Sequence, residues 1–264
     1  MKKILFALMG ISTVLSISAQ QKQGRVIYTR TMQMQMEIND NDHMAQMLPK
    51  TRTDNFELTF GSNQSIWKHI DEEDNNDEVN GNGMEIRMIA PGQNDVVFYD
   101  FAKAQKIEQR EMMERKFIVT DSIQKLDWKL SGETQIILGH VCQKAAAQRE
   151  GRRTQMTMDN GKMERKEIAD TSTIVAWFTA DIPVPAGPEV QGQLPGLILA
   201  LDINNGRAVY KAVELSEKAD TLSIKEPTKG KKVTPDEYKK ETAKMMDEMQ
   251  KNNQGKGNRV IRIN

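Results

Sequence analysis

The sequence has few of the residues that usually hold a small secreted domain together or carry out catalysis. Cysteine occurs once, at Cys142, so the chain can form no internal disulfide and its fold must depend on an apolar core. Histidine occurs 3 times, in unrelated segments, and the HExxH, GxSxG and P-loop motifs are missing. We therefore predict no catalytic residues and no enzymatic activity.

The chain also has no excess of positive or negative charge. The 37 basic and 37 acidic residues give a formal net charge of zero, whereas a protein that binds phosphate backbones needs a basic face. Aromatic residues make up only 5% of the chain, which disfavours a carbohydrate-binding platform built from exposed rings. Nucleic acid is therefore not expected as a partner.

Long hydrophobic runs are also missing, apart from one near residue 1. Lys2 and Lys3 precede an apolar run from Ile4 to Ala19, which is shorter than the roughly 20 residues of a membrane-spanning helix. A basic start, a short apolar core and a small final residue are typical of a secretory signal peptide. We predict a signal peptide over residues 1–19 and a mature protein in the periplasm or at the cell surface. It is expected to be neither a lipoprotein nor a transmembrane protein, because no cysteine follows the cleavage point and no later run could span a bilayer.

Most of the remaining chain alternates between apolar and polar residues with a period of two, which indicates β-strands. In residues 24–38 the side chains of Ile27, Thr29 and Thr31 share one face, and a row of methionines occupies the other. Further strands are predicted over residues 96–100, 106–112, 116–119, 135–147, 173–179, 197–203 and 207–215. Hairpins are predicted over residues 56–70 and around Asn160-Gly161.

One helix is predicted near the end of the chain. Thr234, Pro235 and Glu237 form a capping signature, and a helix should run from there to about residue 252. The expected fold is mainly β: a curved antiparallel sheet, as a half-barrel or flattened sandwich, with this C-terminal helix. We expect one β domain over residues 20–230, followed by the helix and a basic tail over residues 231–264.

Methionine is abundant, with 17 copies, and several copies recur at strand spacing. Thioethers are soft ligands that suit Cu(I), so a periplasmic copper site is one hypothesis, with copper as the cofactor. The candidate ligands are Met32, Met34, Met36, His43, Met44, Met47, His140 and Cys142. The alternative, which we favour, is that methionine fills core space or lines a binding groove, with no cofactor. For His140 and Cys142 there are two further alternatives. Either they act as a base and a nucleophile, or Cys142 is a small buried residue of the strand.

A series of short motifs runs in order from Trp128 to Leu201. They are Trp128-Lys129-Leu130, Gly132-Glu133-Thr134, Ile137, Gly139, Cys142-Gln143-Lys144-Ala145, Ala176-Trp177-Phe178-Thr179, Asp181-Ile182-Pro183-Val184, Gly187-Pro188 and Leu194-Pro195-Gly196-Leu197-Ile198. This series resembles the GLPGLI family, secreted proteins of the Bacteroidetes named for a signature hexapeptide. Gln193 stands where the signature has its first glycine.

The resemblance implies an envelope protein with no established reaction, and some members of the family lie beside outer-membrane receptors of the TonB-dependent class. We expect the motif residues to be structural, with Pro195-Gly196 forming a sharp turn into a buried strand. These residues are Trp128, Trp177, Pro183, Gly187, Pro188, Leu194, Pro195, Gly196, Leu197 and Ile198. The expected function is non-enzymatic binding of a ligand or partner, such as an outer-membrane receptor or another envelope protein, through the curved sheet. Copper binding is the first alternative to this function, and a carrier of an apolar lipid or peptide is the second.

Overall fold

A computed structural model describes residues 22–33, 51–70, 78–81, 84–87, 94–159 and 162–253. The predicted signal peptide and basic tail lie outside these residues. Within the described part of the chain, no helix is both long and apolar enough to cross a membrane.

Within the described residues, the fold consists of fourteen strands and one α-helix. The strands are β1 (Gly24–Gln33), β2 (Thr51–Gly61), β3 (Gln64–Ile70), β4 (Glu78–Gly81), β5 (Met84–Arg87), β6 (Val96–Asp100), β7 (Gln105–Met112), β8 (Arg115–Ser122), β9 (Lys129–Ile137), β10 (His140–Asp159), β11 (Lys162–Thr179), β12 (Leu197–Ile203), β13 (Ala208–Ser216) and β14 (Lys231–Val233). The helix, α1, spans Pro235–Asn253, and a short 3₁₀ turn spans Thr221–Ser223.

Twelve of the strands form one open sheet, in the order β14-β8-β7-β6-β3-β2-β1-β13-β12-β11-β10-β9. Neighbouring strands are antiparallel except for β14, which pairs in parallel with β8. Strands β4 and β5 form a separate hairpin. The predicted mainly β fold with one C-terminal helix is confirmed, and the sheet is not closed into a barrel.

One face of the sheet can be followed from strand to strand, because directly paired residues point to the same side. A row of such residues crosses the sheet from β1 to β8: Val26, Leu58, Trp67, Val97, Glu108 and Val119. We call this side the inner face. Residues 180–196, which join β11 to β12 and which we call the motif segment, cover Val26 and Leu58, whereas α1 covers Val119. Two separate parts of the chain, the motif segment and α1, therefore pack over the inner face.

The motif segment packs apolar side chains onto the inner face in place of a second sheet. Its buried side chains and those of β12 contact β1, β2, β10 and β11 in two adjoining clusters. The members supplied by these two elements are Ile182, Val184, Ala186, Val190, Leu194, Leu197, Ile198, Leu199, Leu201 and Ile203. Burial of each large apolar side chain contributes roughly 1.5–3 kcal/mol, so this packing is a main source of stability.

Helix α1 begins as the capping signature predicts. The backbone N–H of Thr234 donates to the Glu237 carboxylate over 2.8 Å, and the Glu237 N–H donates to the Thr234 hydroxyl over 3.3 Å. The Tyr238 ring packs edge-on against Phe117 of β8, with ring centroids 5.4 Å apart, and Met245 is buried beside it. These contacts hold α1 across β8 and β14.

The outer face is covered over β3, β6, β7 and β8 by the chain that follows β13. Ile224, just after the 3₁₀ turn, packs against Ile66, Phe98, Ile107 and Ile118. This stretch carries the chain across the sheet to its far edge, where β14 begins.

One strand prediction was wrong. Residues 135–147 do not form one strand, because the chain reverses at Leu138 and Gly139, where φ is 49° and 83°. Ile137 and His140 therefore pair with each other across a two-residue turn, ending β9 and beginning β10. Positive φ at both central residues is the geometry that such tight hairpins require, and leucine is an unusual residue for it.

Candidate functional site

The motif segment is fixed to the inner face by hydrogen bonds as well as by packing. The Tyr28 hydroxyl of β1 donates over 2.6 Å to the backbone oxygen of Ile198, two residues after the end of the segment. The Ser65 hydroxyl of β3 donates over 2.6 Å to the side-chain oxygen of Gln191, which is 2% exposed. Buried polar groups of this kind are costly unless paired, so each bond specifies where the segment lies.

Gln193, which departs from the family signature, has a definite role in the structure. Its side-chain oxygen accepts hydrogen bonds from the Leu126 N–H over 3.0 Å and from the Trp128 indole N–H over 3.1 Å. A glycine at this position could make neither bond. Gln193 therefore links the motif segment to the chain that enters β9.

Pro195 and Gly196 lie at the bend that leads into β12. Gly196 does not have a positive φ, so a left-handed backbone conformation is not the reason for the glycine. A Cβ atom at this position would lie 2.1 Å from the backbone oxygen of Thr179. Glycine is required because two backbone segments approach each other closely here.

The other predicted motif residues lie around the same segment. Leu194, Leu197 and Ile198 are buried, Pro188 and Gly187 are buried, and Trp128 and Trp177 are partly buried against the core clusters. Pro183 and Pro195 are exposed. The structure thus brings the motif residues into one region, and their structural role stays a prediction.

A buried ion-pair cluster lies on the inner face at the end of β1 and β2. Arg30 Nη2 and Arg52 Nε each lie 2.9 Å from an oxygen of Asp54, whose side chain is 3% exposed. Burial alone would raise the pKa of Asp54, but hydrogen bonds from His69, Arg30 and Arg52 outweigh it and hold that pKa well below its usual value. Asp54 is therefore ionised at neutral pH.

Aromatic rings enclose this cluster. The Phe56 ring lies 4.5 Å from the Arg30 guanidinium and stacks on Trp67 with centroids 5.1 Å apart. Trp67 also contacts Tyr28 and Tyr210, at centroid distances of 5.3 Å and 6.1 Å. Because both Asp54 oxygens already have arginine partners, we interpret the cluster as part of the scaffold.

Beyond the motif segment, the inner face has a groove beside α1. It has a volume of about 380 Å³, within the usual range for small-ligand sites. Strands β7 and β8 supply its floor and the first turns of α1 supply its wall. The lining residues are Lys106, Glu108, Arg110, Val119, Asp121, Pro235, Tyr238, Lys239 and Thr242. This is a charged groove in a fold whose other inner-face contacts are mostly apolar.

Arg110 is the unusual member of the groove. Its Nη2 donates to the Glu108 carboxylate over 2.7 Å, and its guanidinium lies 5.2 Å from the Tyr238 ring centroid. Its Nε–H is buried and has no acceptor among the described residues. Lys106 also pairs with Glu108, so that carboxylate is shared by two cations. The buried Nε–H of Arg30 is unpaired in the same way, so this feature does not by itself distinguish the groove.

His140 and Cys142 do not form a nucleophile and base. Cys142 is 0% exposed and its thiol donates to the backbone oxygen of His140 over 3.7 Å, whereas the His140 ring faces Asp181 at 3.4 Å. Burial raises the pKa of the Cys142 thiol to about 11. Cys142 is a small residue of the apolar core.

We expect Cys142 to be unreactive in the folded protein. A buried, protonated thiol is a poor nucleophile at neutral pH, so a disulfide reagent should label it only after unfolding. The measurement is the rate of labelling by Ellman's reagent at pH 7.5 with and without 6 M guanidinium chloride. Equal rates in the two conditions would contradict the buried placement.

The candidate copper ligands lie on different strands. Met32 lies on β1, and His140 and Cys142 lie on β10, four strand positions away in the order of the sheet. The other candidate ligands, Met34, Met36, His43, Met44 and Met47, lie outside the described residues. Among the residues that the structure describes, no group of three or more His, Cys, Asp or Glu side chains is placed to hold a metal. Copper binding therefore stays a prediction.

The carrier hypothesis needs apolar inner-face residues that a ligand can reach. Leu197, Leu199 and Leu201 are at most 1% exposed, and they pack within the protein itself. The carrier alternative stays a prediction.

The sequence of this region also matches a known protein family. Residues 128–200 match the family described as Protein of unknown function (Porph_ging). The match begins at Trp128, includes β9 to β11 and the motif segment, and ends within β12. It coincides with the stretch that carries the sequence motifs, and the family is a domain found in Bacteroidetes-type proteins.

Comparisons with individual proteins add little to this match. None of the curated proteins matches the chain. Two solved structures of PNGF-II, in the P21 and C2 space groups, are similar to it, with TM-scores of 0.48 and 0.49 and sequence identities of 17% and 16%. The alignments cover 83% of this chain and 32% of PNGF-II, so the chain spans about a third of the length of the structures it matches.

The groove was not predicted from the sequence, although one signal for it exists. Lys106, Glu108 and Arg110 recur at every second position of β7, so three charged side chains share one face of a strand. Such a strand normally turns its charged side to solvent, whereas here that side is the inner face. The pattern alone could not show that α1 lies over it.

Proposed function

We propose that the protein is an exported, non-enzymatic envelope protein that binds a ligand or a partner segment through the inner face of its sheet, in the groove beside α1. The observation that carries the proposal is the groove of about 380 Å³ between the charged side chains of β7 and the first turns of α1. The rest of the inner face in this region is occupied by the protein's own side chains. The groove therefore offers open space for a ligand at a defined place.

The location is supported by the sequence. A signal peptide over residues 1–19 would export the protein, and the resemblance to the GLPGLI family suggests an envelope protein. A TonB-dependent outer-membrane receptor, or another envelope protein, would then be the partner that uses or supplies the ligand.

Blocking the groove should abolish binding without unfolding the protein. Thr242 lines the groove from α1, and tryptophan at this position is compatible with a helix and would fill part of the volume. We expect protein purified from an envelope fraction to carry a bound small molecule in non-denaturing mass spectrometry, and Thr242→Trp to lose it.

Asp247→Trp is the matched control, because Asp247 is an exposed residue of the same helix outside the groove. It should retain the ligand. If wild type and Thr242→Trp carried the same bound species in the same amount, the groove would not be the binding site.

A further inference from the structure

The sheet ends at β9 in an exposed and apolar edge. β9 is the last strand of the sheet, so among the described strands only β10 pairs with it. Seven large apolar side chains of the described residues are clearly exposed, and four of them lie in the hairpin of β9 and β10: Leu130, Ile136, Leu138 and Val141. We propose that β9 pairs edge to edge with β9 of a second copy of the chain, which gives a two-fold symmetric dimer.

The backbone of β9 presents free hydrogen-bonding groups along this edge. Ile137 and His140 close a two-residue hairpin, and such a closing pair exchanges both of its backbone hydrogen bonds. The direction of these groups alternates along an antiparallel strand, so Thr134 and Ile136 direct their N–H and C=O groups away from β10. Within the described part of the chain, neither residue makes a backbone hydrogen bond outside the strand ladder. A further strand can therefore bond to both residues.

This edge is protected along the first half of β9 and open along the second. In the first half, residues 131–133 lie opposite Lys144 alone, and Gly132 has a φ of 77°, so the strand is bulged. Glu133 in this half is charged and accepts a hydrogen bond from Lys144 over 2.9 Å. Bulges and charged side chains are the usual features that prevent pairing at an edge. Residues 134–137 have neither, because their sequence is Thr-Gln-Ile-Ile and their register with β10 is regular.

A second copy is the partner that this edge matches. Antiparallel pairing about a two-fold axis at Gln135 places Thr134 of each copy opposite Ile136 of the other, in two pairs that can each exchange two backbone hydrogen bonds. A two-fold interface brings the same residues of both copies together, so it requires an edge that does not repel itself. Residues 134–137 carry no charge and meet this requirement.

The same arrangement also covers apolar surface. Ile136 and Val141 are directly paired, so their side chains lie on one side of the hairpin, where they are 74% and 56% exposed. In the dimer these two side chains meet their counterparts on one side of a continuous sheet, which removes apolar area from water. The paired segments are short, so the dimer should be weak.

Sedimentation velocity of the mature protein between ~1 μM and ~1 mM measures this association. We expect a dimer whose fraction rises with concentration. Ile136→Lys should raise the dissociation constant roughly tenfold or more, because it removes apolar contact and brings two like charges together. Leu222→Lys is the matched control: Leu222 is 80% exposed in the 3₁₀ turn, outside β9 and β10, and its loss should leave the association unchanged. A wild type that stays monomeric at every concentration, or equal losses in both variants, would overturn the proposal.

A disulfide cross-link tests the register of the pairing. The two Gln135 residues would form a non-hydrogen-bonded pair with Cα atoms ~4.5 Å apart, which is within disulfide range. Gln135→Cys is made together with Cys142→Ala, because Cys142 pairs with residue 135 in the same copy. Oxidation with diamide should then link two chains.

Gln143→Cys in the same Cys142→Ala background is the matched control for the cross-link. Gln143 is exposed as well, but it lies on β10, one strand further from the proposed axis, so it should link far less. Equal cross-linking of the two variants, or dimers that do not link through residue 135, would place the contact elsewhere and overturn the pairing. If the Cys142→Ala background failed to fold, the comparison of Ile136→Lys with Leu222→Lys would decide the question alone.

Discussion

Replacing Gly196 by alanine is expected to lower the free energy of unfolding by about 3 kcal/mol or more. A Cβ at residue 196 would lie 2.1 Å from the oxygen and 2.8 Å from the carbon of the Thr179 carbonyl group. Both are backbone atoms at the end of β11, and Thr179 is 0% exposed, so no flexible side chain can move aside. The end of β11 and the start of β12 would have to separate, which would disturb the core beneath the motif segment.

Urea denaturation followed by tryptophan fluorescence measures this effect, because Trp67 and Trp177 both pack against the core clusters. Gly151→Ala is the matched control: the closest atom to its new Cβ would be a backbone oxygen at 3.9 Å, an ordinary contact distance. Equal unfolding midpoints for the two variants would show that the close approach at Gly196 is unimportant.

Replacing Asp54 by alanine is expected to cost about 3–5 kcal/mol, because it leaves the buried charges of Arg30 and Arg52 without their partner. The three side chains are between 3% and 10% exposed, so water cannot replace the lost carboxylate. Asp127→Ala, at an exposed position, should change the stability by less than about 0.5 kcal/mol. A double variant, Arg30→Met with Asp54→Leu, should recover part of the loss because it removes both charges of one pair.

The cost of losing Asp54 should depend on pH in a definite direction. The folded-state pKa of Asp54 lies below the unfolded value of about 3.9, so ionised Asp54 stabilises the fold above that pH. This contribution falls as the pH drops below about 4 toward the folded-state pKa. The difference in unfolding free energy between wild type and Asp54→Ala should therefore be full at pH 7 and smaller at pH 3. A constant difference over this range would contradict the ion-pair role.

The secondary structure was predictable from the sequence because its signals are local. Period-two alternation located most of the strands, and the Thr234 and Glu237 capping pair located the start of α1. The error at Leu138 also has a local cause: leucine and glycine are not the usual residues of a tight turn, so the alternation seemed to continue through it.

The arrangement of the site was not predictable, because it depends on contacts between distant parts of the chain. Alternation shows which side chains share a face, but not that β13 pairs with β1 or that α1 covers β7 and β8. For the same reason, Arg30 and Asp54 appeared to be ordinary polar strand residues. Gly196 was singled out correctly as unusual, but only the position of Thr179 shows what the glycine permits.

The hairpin of β10 and β11 extends well past the rest of the sheet. β9 pairs with β10 only as far as Ala146, and β12 pairs with β11 only from Ile174, so beyond these points the two strands have only each other among the described strands. This two-stranded arm, about 12 residue pairs long, reaches ~40 Å from the body at the usual rise per residue. A ribbon of this length extends the molecule well beyond the part of β10 and β11 that pairs with β9 and β12, and a further strand can pair with either of its edges. In the envelope protein proposed above, such an arm would reach a second component while the groove stays at a distance from that contact.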